Sequence, residues 1–82
     1  MELSKAIRLR IKYYLDKNKM NTWALSKAAG IPCSTLSYFF SGKTDLIKID
    51  TLLHICEGFN ITLGEFFTDD VFKNTYQETN KD

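Results

Sequence analysis

Apolar side chains recur at helical spacing near the start of the chain. Plotted at about 100° per residue, those between positions 3 and 15 fall within an arc of roughly 120°, as on one buried helix face. They are Leu3, Ile7, Ile11, Tyr14 and Leu15. A polar run at 16–19 follows them. The pattern predicts a first amphipathic helix that ends in this run, with a basic edge formed by Lys5, Arg8 and Lys12.

Capping residues divide the next part of the chain into four shorter helices. Short polar side chains accept hydrogen bonds from the free amides at a helix start, and glycine or asparagine adopts the left-handed conformation that ends a helix. Starts are indicated at Asn21, Pro32 and the capping-box pattern Thr62–Glu65, and stops at Gly30, Gly42 and Asn60. The predicted helices are residues 22–29, 33–41, about 49–59, and from 63 onward.

Each predicted helix has an apolar side that we expect to face a common core. The side chains assigned to the core in this way are Ala24, Leu25, Ala28, Ala29, Leu36, Phe39, Phe40, Leu52, Leu53, Cys56, Phe59, Phe66 and Phe67, with Ile55 at the margin. Trp23 and the two apolar residues of the 43–48 connection, Leu46 and Ile47, are also expected to pack inward. The pattern therefore predicts one small all-α domain.

The second and third predicted helices are joined by a short turn around Gly30. Two helices joined in this way form a helix-turn-helix, although a plain helical hairpin in a bundle has the same pattern. We expect a compact five-helix domain over residues 1–68. Residues 69–82 form a polar tail with three isolated large apolar residues, Val71, Phe72 and Tyr76, and this tail is expected to be flexible or to assist a dimer contact.

Composition excludes several classes of protein. The chain has 82 residues, 44% of them hydrophobic and 26% charged, which suits one modest core. It contains no apolar run long enough for a bilayer span or a signal sequence, so we expect a cytoplasmic protein.

The chemistry needed for an enzyme or a metal site is also sparse. Two cysteines, Cys33 and Cys56, and a single histidine are too few for a disulfide framework or a structural zinc site. The histidine, His54, is expected to form a solvated pair with Asp50. No glycine-rich phosphate loop or nucleophile with a base is evident. We expect no enzymatic activity, no cofactor, no metal and no small-molecule ligand.

Charge is distributed unequally along the chain. Residues 1–48 contain nine lysine and arginine residues against three acidic ones, whereas residues 49–82 contain two lysines against seven acidic residues. A protein that presents one face to a polyanion needs such an asymmetry. Chance variation in surface composition would also produce it, so charge does not decide the function.

The outward face of the third predicted helix bears on whether the partner is DNA or another protein. No charged residue occurs between Ile31 and Ser41, and the polar side of this helix consists of Ser34, Ser37, Tyr38 and Ser41. Small hydroxyl groups and a tyrosine suit the edges of DNA bases, while the flanking Lys27, Lys43 and Lys48 suit phosphates. An uncharged face framed by lysines suits a protein partner almost as well.

Several motifs in register resemble the lambda-repressor-like (Cro/repressor, XRE) helix-turn-helix family. They are Leu25, Ala29-Gly30-Ile31, Ser34-Thr35-Leu36-Ser37, Ser41-Gly42-Lys43 and Phe59-Asn60-Ile61-Thr62-Leu63. The resemblance covers about residues 7–67. It implies a five-helix domain of prokaryotic or phage type that binds the DNA major groove, usually as a dimer, and regulates transcription.

The resemblance also assigns roles to individual positions. It places Cys33, Ser34, Ser37 and Tyr38 at base-reading positions of the third helix. It places Thr22, Ser41, Lys43 and Lys48 at positions that contact the DNA backbone, and Lys27 joins this set by its charge. The glutamine or arginine readers of many members are absent, so we expect weak direct readout of base sequence.

Two functional hypotheses follow from these observations. The first is a sequence-preferring regulator, a repressor acting as a homodimer on a double-stranded DNA operator. The second is a protein-interaction module on the same fold, such as an antitoxin component. A long apolar tail would favour the second hypothesis, but the tail here is short and mostly polar.

Overall fold

The computed structural model describes residues 1–76 and consists of short helices. They are α1 (Leu3–Lys17), α2 (Thr22–Ala29), α3 (Cys33–Ser41), α4 (Ile49–Phe59) and α5 (Leu63–Phe67), followed by a 3₁₀ turn at Asp70–Phe72. The described residues form no β-strand, and their one β-bridge joins Glu2 to Tyr76. The predicted all-α, five-helix architecture is confirmed, including each helix start after residue 20.

The predicted caps form the expected hydrogen bonds. The Asn21 side chain accepts from the Ala24 amide at 2.8 Å. At α5, the Thr62 hydroxyl accepts from the Glu65 amide at 3.0 Å, and the Glu65 carboxylate accepts from the Thr62 amide at 2.9 Å. Asn60 ends α4 with φ of 62°. These local bonds explain why short helices begin and end where the sequence indicates.

One core joins all five helices. Its fully buried large side chains are Ile11, Leu25, Leu36, Phe39, Leu52, Ile55, Cys56 and Phe66. α2 and α4 approach closely at Gly58, where an added Cβ would lie 3.1 Å from the Ala29 backbone nitrogen. A larger residue at position 58 would therefore push α2, the first helix of the helix-turn-helix, away from α4.

The core differs from the predicted set on α4 and α5. Ile55 is fully buried and Leu53 is 40% exposed, because the buried stripe of α4 follows positions 52, 55, 56 and 59. On α5, Phe66 is buried and Phe67 is 39% exposed. Neighbouring residues of a helix point about 100° apart, so a helix this short turns only one of the two rings inward.

Further core assignments were wrong. Trp23 is 61% exposed and Ala28 is exposed, because the inward positions of α2 are occupied by Leu25, Ser26 and Ala29. Leu46 is also exposed, whereas Ile47 is partly buried and packs against the core. The 43–48 connection therefore turns one apolar side chain inward and the other outward.

The segment after α5 packs against the domain. The Phe72 ring lies 6.0 Å from Phe66 and 4.9 Å from Phe67, centroid to centroid. The Leu3 amide donates to the Tyr76 carbonyl at 2.8 Å. The remainder of the predicted tail, residues 77–82, lies outside the described residues. Within residues 1–76, every helix is too short or too polar to cross a bilayer.

Candidate nucleic-acid interface

The turn between α2 and α3 is built around Gly30. Its φ of 71° lies in the left-handed region that glycine adopts without steric cost. The amides of Gly30 and Ile31 both donate to the Ser26 carbonyl, at 2.9 and 3.1 Å. Ile31 then packs partly buried against the core, and Pro32 starts α3. This turn fixes the direction in which α3 leaves α2.

The inward side of α3 anchors the helix and leaves its polar side in solvent. Leu36 and Phe39 are buried. The predicted base-reading residues on the other side are all exposed: Cys33, Ser34, Ser37 and Tyr38. We call these four residues the α3 ridge. Because it carries no formal charge and lies on the surface, the ridge is available to a partner.

Lys43 and Lys48 lie beside this ridge, and Lys27 lies on α2. The Lys43 Nζ lies 5.0 Å from the centroid of the Tyr38 ring, so a cation borders the exposed aromatic side chain. Lys27 Nζ lies 5.1 Å above the Trp23 ring on α2. Lys48 is exposed at the N-cap of α4. The Tyr38 ring keeps the Lys43 ammonium group beside the ridge, within reach of a phosphate.

The two hydroxyl residues in the predicted backbone-contact set differ in their surroundings. Ser41 is exposed at the end of α3, donates to the Tyr38 carbonyl at 3.1 Å, and accepts from the Lys43 amide at 3.3 Å. Thr22, the first residue of α2, is half-buried. Ser41 thus orders the turn that carries Lys43, in addition to presenting a hydroxyl group.

A groove of about 290 Å³ lies beside the ridge, between α3 and the start of α4. Its polar lining comes from Thr35, Tyr38, Thr44, Lys48 and Thr51. Thr35 was not among the predicted site residues, although it is exposed and shares this groove with Tyr38. A hydroxyl residue in an uncharged helix could have been selected from the sequence. Thr35, however, lies outside the arc of the helix that contains Ser34, Ser37 and Tyr38.

Arg8 was also misjudged from the sequence. The helical wheel grouped it with Lys5 and Lys12 on a basic edge, whereas its guanidinium turns toward the end of α3. Nε donates to the Phe39 carbonyl at 2.6 Å, and Nη2 donates to the Thr44 carbonyl at 3.0 Å. The periodicity of α1 could not predict these bonds, because their acceptors lie more than 30 positions away in the sequence.

His54 and Cys56, the other two residues considered for chemistry, lie on α4 and not on the ridge. His54 Nδ1 lies 3.2 Å from the Glu57 carboxylate, so its partner is Glu57 and not the predicted Asp50. Cys56 is buried as predicted, and burial raises the pKa of its thiol to about 11, with a smaller contribution from the nearby Glu57 charge. Within residues 1–76, no three His, Cys, Asp or Glu side chains form a group that could hold a metal ion.

Two helices are joined by a tight glycine turn, and the second helix is exposed. A comparison with protein-family models agrees with this geometry. The model of the Cro/C1-type HTH DNA-binding domain matches residues 10–70, about three quarters of the chain. The chain belongs to the Cro/C1-type helix-turn-helix family. Neither the curated proteins nor the solved structures yield a match. The resemblance seen in the sequence is therefore confirmed at the level of the family.

Membership identifies the partner class of this Cro/C1-type domain as DNA. The matched range extends from the middle of α1 to the 3₁₀ turn and includes the complete α2–turn–α3 unit. Arg8 lies outside the matched range, as does the Tyr76 contact with the N-terminus. The Cro/C1-type domain is thus a DNA-binding regulator.

Proposed function

We propose that this Cro/C1-type domain is a transcriptional repressor that binds a double-stranded operator with α3 in the major groove. The observation that carries the proposal is the exposed, uncharged α3 ridge bordered by lysines. The major groove admits an α-helix and displays donors, acceptors and thymine methyl groups that differ between base pairs. Side chains that are short and polar allow the helix to lie close to those edges.

In this proposal the ridge contacts the bases. Ser34 and Ser37 donate to or accept from base edges, and Cys33 offers a small side chain near the start of α3. Tyr38 has the longest side chain of the ridge and is 53% exposed, so it reaches furthest. A serine forms one hydrogen bond where arginine or glutamine forms two, so direct readout is modest. Sequence-dependent shape and flexibility of the DNA supply the rest of the selectivity.

The DNA backbone is held by a second set of residues. These are Thr22, Lys27, Ser41, Lys43 and Lys48, of which the lysines and Ser41 are exposed. Each lysine that neutralises a phosphate releases counterions and makes the affinity dependent on salt. These contacts fix the position of α3 and carry no sequence information themselves.

The operator is proposed to be bound by a homodimer. Two copies related by a two-fold axis would place their α3 helices about 34 Å apart, near 10 base pairs, on a near-palindromic site. The exposed Phe67 ring on α5 and the neighbouring segment support a contact between copies in this region. The protein would repress by occupying the operator, in the cytoplasm of a prokaryotic host, without catalysing a reaction.

The proposal is tested by selecting bound sites from a random duplex pool and by sedimentation of the free and DNA-bound protein. An enriched inverted repeat bound by two copies is the expected result. Absence of enrichment at low salt would contradict operator binding and direct attention to a protein partner. Repression is tested separately, with the selected site placed over a reporter promoter or well upstream of it. We expect lower expression only when the site overlaps the promoter.

A further inference from the structure

Arg8 connects α1 to the end of α3 and to the following loop. Its Nε donates to the Phe39 carbonyl at 2.6 Å, and its Nη2 donates to the Thr44 carbonyl at 3.0 Å and to the Asp45 carboxylate at 2.7 Å. The guanidinium carbon also lies 4.7 Å from the centroid of the Phe39 ring. The Arg8 side chain is 18% exposed and its two bonds to carbonyl oxygens are partly buried, whereas the Asp45 side chain is 60% exposed.

The segment held by Arg8 has little internal support. Residues 43–48 contain neither helix nor strand. Its few local hydrogen bonds include Lys43 N to Tyr38 O at 3.1 Å and Leu46 N to Thr44 Oγ1 at 3.1 Å. Arg8 adds two hydrogen bonds to the segment, at Thr44 and Asp45, and a third to Phe39 in the last turn of α3. Arg8 thus holds the first half of the loop, while Ile47 packs its second half against the core.

The same loop carries two of the proposed phosphate contacts and one opposing charge. Lys43 and Lys48 are exposed, and Asp45 between them is the single acidic residue from position 17 to position 48. A carboxylate beside two phosphate-binding lysines would repel DNA. The Arg8 guanidinium lies 2.7 Å from that carboxylate and offsets its charge.

We propose that Arg8 is a positioning residue for DNA binding, which fixes the 43–48 loop against α3 and neutralises Asp45. It acts through Lys43 and Lys48 and does not itself contact the DNA. This inference rests on the proposed function, since it assigns Arg8 to the same DNA surface.

Four variants separate positioning from simple loss of charge. Arg8→Met removes the contacts, and Arg8→Lys keeps the charge without the paired donors. Lys12→Met is the matched control, since Lys12 is an exposed cation one turn further along α1. Arg8→Met combined with Asp45→Asn removes the unpaired carboxylate. Two quantities are measured: amide hydrogen exchange of the free protein, and affinity for the selected operator over a range of salt concentrations.

We expect Arg8→Met to accelerate exchange at the amides of the 43–48 loop while amides buried in α4 keep their protection. Operator affinity should fall about 3- to 30-fold, the range for residues that act on a site without touching the ligand. The salt dependence should become shallower. Arg8→Lys should give an intermediate loss, and the Asp45→Asn double variant should recover part of the affinity. Lys12→Met should change neither the exchange of the loop nor the affinity appreciably.

Equal losses of affinity in Arg8→Met and Lys12→Met would overturn the proposal, because Arg8 would then act as one positive charge among others. Unchanged exchange at residues 43–48 would also overturn it. If Arg8→Met does not fold, the Asp45→Asn single variant decides the electrostatic part: a weaker operator complex in that variant would contradict the role assigned to the pair. Failure of the wild-type protein to bind any duplex would refute the proposed function, while loop exchange would still test positioning.

Discussion

The guanidinium of Arg10 donates from Nε to the carbonyl oxygen of Phe66 across 2.7 Å, which joins the middle of α1 to the last turn of α5. Nη2 also donates to the carbonyl oxygens of Glu65 and Thr68, at 2.9 and 3.2 Å. Asp69 lies 3.3 Å from Nη1. A buried cation thus meets the carbonyl groups at a helix C-terminus, where the helix dipole favours positive charge.

Replacing Arg10 by methionine should destabilise the domain. The variant keeps a long apolar side chain but removes the donor of the Phe66 and Thr68 carbonyls, while the Glu65 carbonyl keeps only the Thr68 amide at 3.3 Å. An unsatisfied buried polar group costs about 1–3 kcal/mol, so we expect a loss of about 2–4 kcal/mol after partial access of water. Urea unfolding followed by circular dichroism measures this. Lys12→Met, with the same change of charge at an exposed site, should lose less than about 0.5 kcal/mol.

Lys43→Ala and Lys48→Ala should each weaken binding to cognate and random duplexes by similar factors. A phosphate contact carries no base information, and each one removed lowers the slope of log affinity against log salt by about one. Filter-binding or fluorescence titrations across salt concentrations measure the slopes. Lys73→Ala is a suitable control, since Lys73 is an exposed cation paired with Asp70 beyond α5. Slopes unchanged from wild type would show that Lys43 and Lys48 do not reach phosphates.

Tyr38→Ala should change which operator sequence is preferred. Tyr38 is the largest exposed side chain of the α3 ridge, and a lost base contact costs about 1–3 kcal/mol at the position it reads. Site selection repeated with the variant checks this. Tyr38→Phe, which keeps the ring beneath Lys43, distinguishes the hydroxyl group from the ring. Equal losses on selected and random DNA would contradict a role in reading bases.

Cys56 should make the stability of the domain decrease at alkaline pH. Burial raises the pKa of its thiol from 9.0 to about 11, so the unfolded chain loses this proton at lower pH than the folded chain does. The contribution of the protonated Cys56 thiol to the free energy of unfolding is fully present below about pH 9. It is lost as the pH rises toward 11, by about 1.4 kcal/mol for each unit by which the pKa is raised. Comparing the pH dependence of unfolding in wild type and Cys56→Ala isolates this term from the titration of other groups.

The single tryptophan should report on the surface and not on the core. Trp23 is 61% exposed, so its emission in the native protein should resemble that of a solvated indole and shift little when the domain unfolds. A large red shift on unfolding would show that the ring is buried in solution. Emission of Lys27→Ala should differ slightly from wild type, because Lys27 lies over the ring.

Local signals in the sequence were sufficient to predict where the helices begin and end. The Asn21 cap, the Thr62–Glu65 capping box and the left-handed stop at Asn60 act within a few residues, so their bonds could be predicted from spacing. The exposure of Tyr38 followed in the same way, because Leu36 and Phe39 define the inward side of α3. The α3 ridge, the central feature of the proposed site, could therefore be predicted from the sequence alone.

The sequence by itself determined the five helices, the turn at Gly30 and the uncharged outward side of α3, since helix propensity, capping and periodicity depend on near neighbours. Only the tertiary structure decided the places of Trp23, Arg8 and Arg10. Trp23 lies outside because Leu25, Ser26 and Ala29 occupy the inward side of α2, and the arginines are placed by carbonyl groups at the ends of α3 and α5. Contacts between residues 31 or 56 positions apart leave no periodic trace in the sequence.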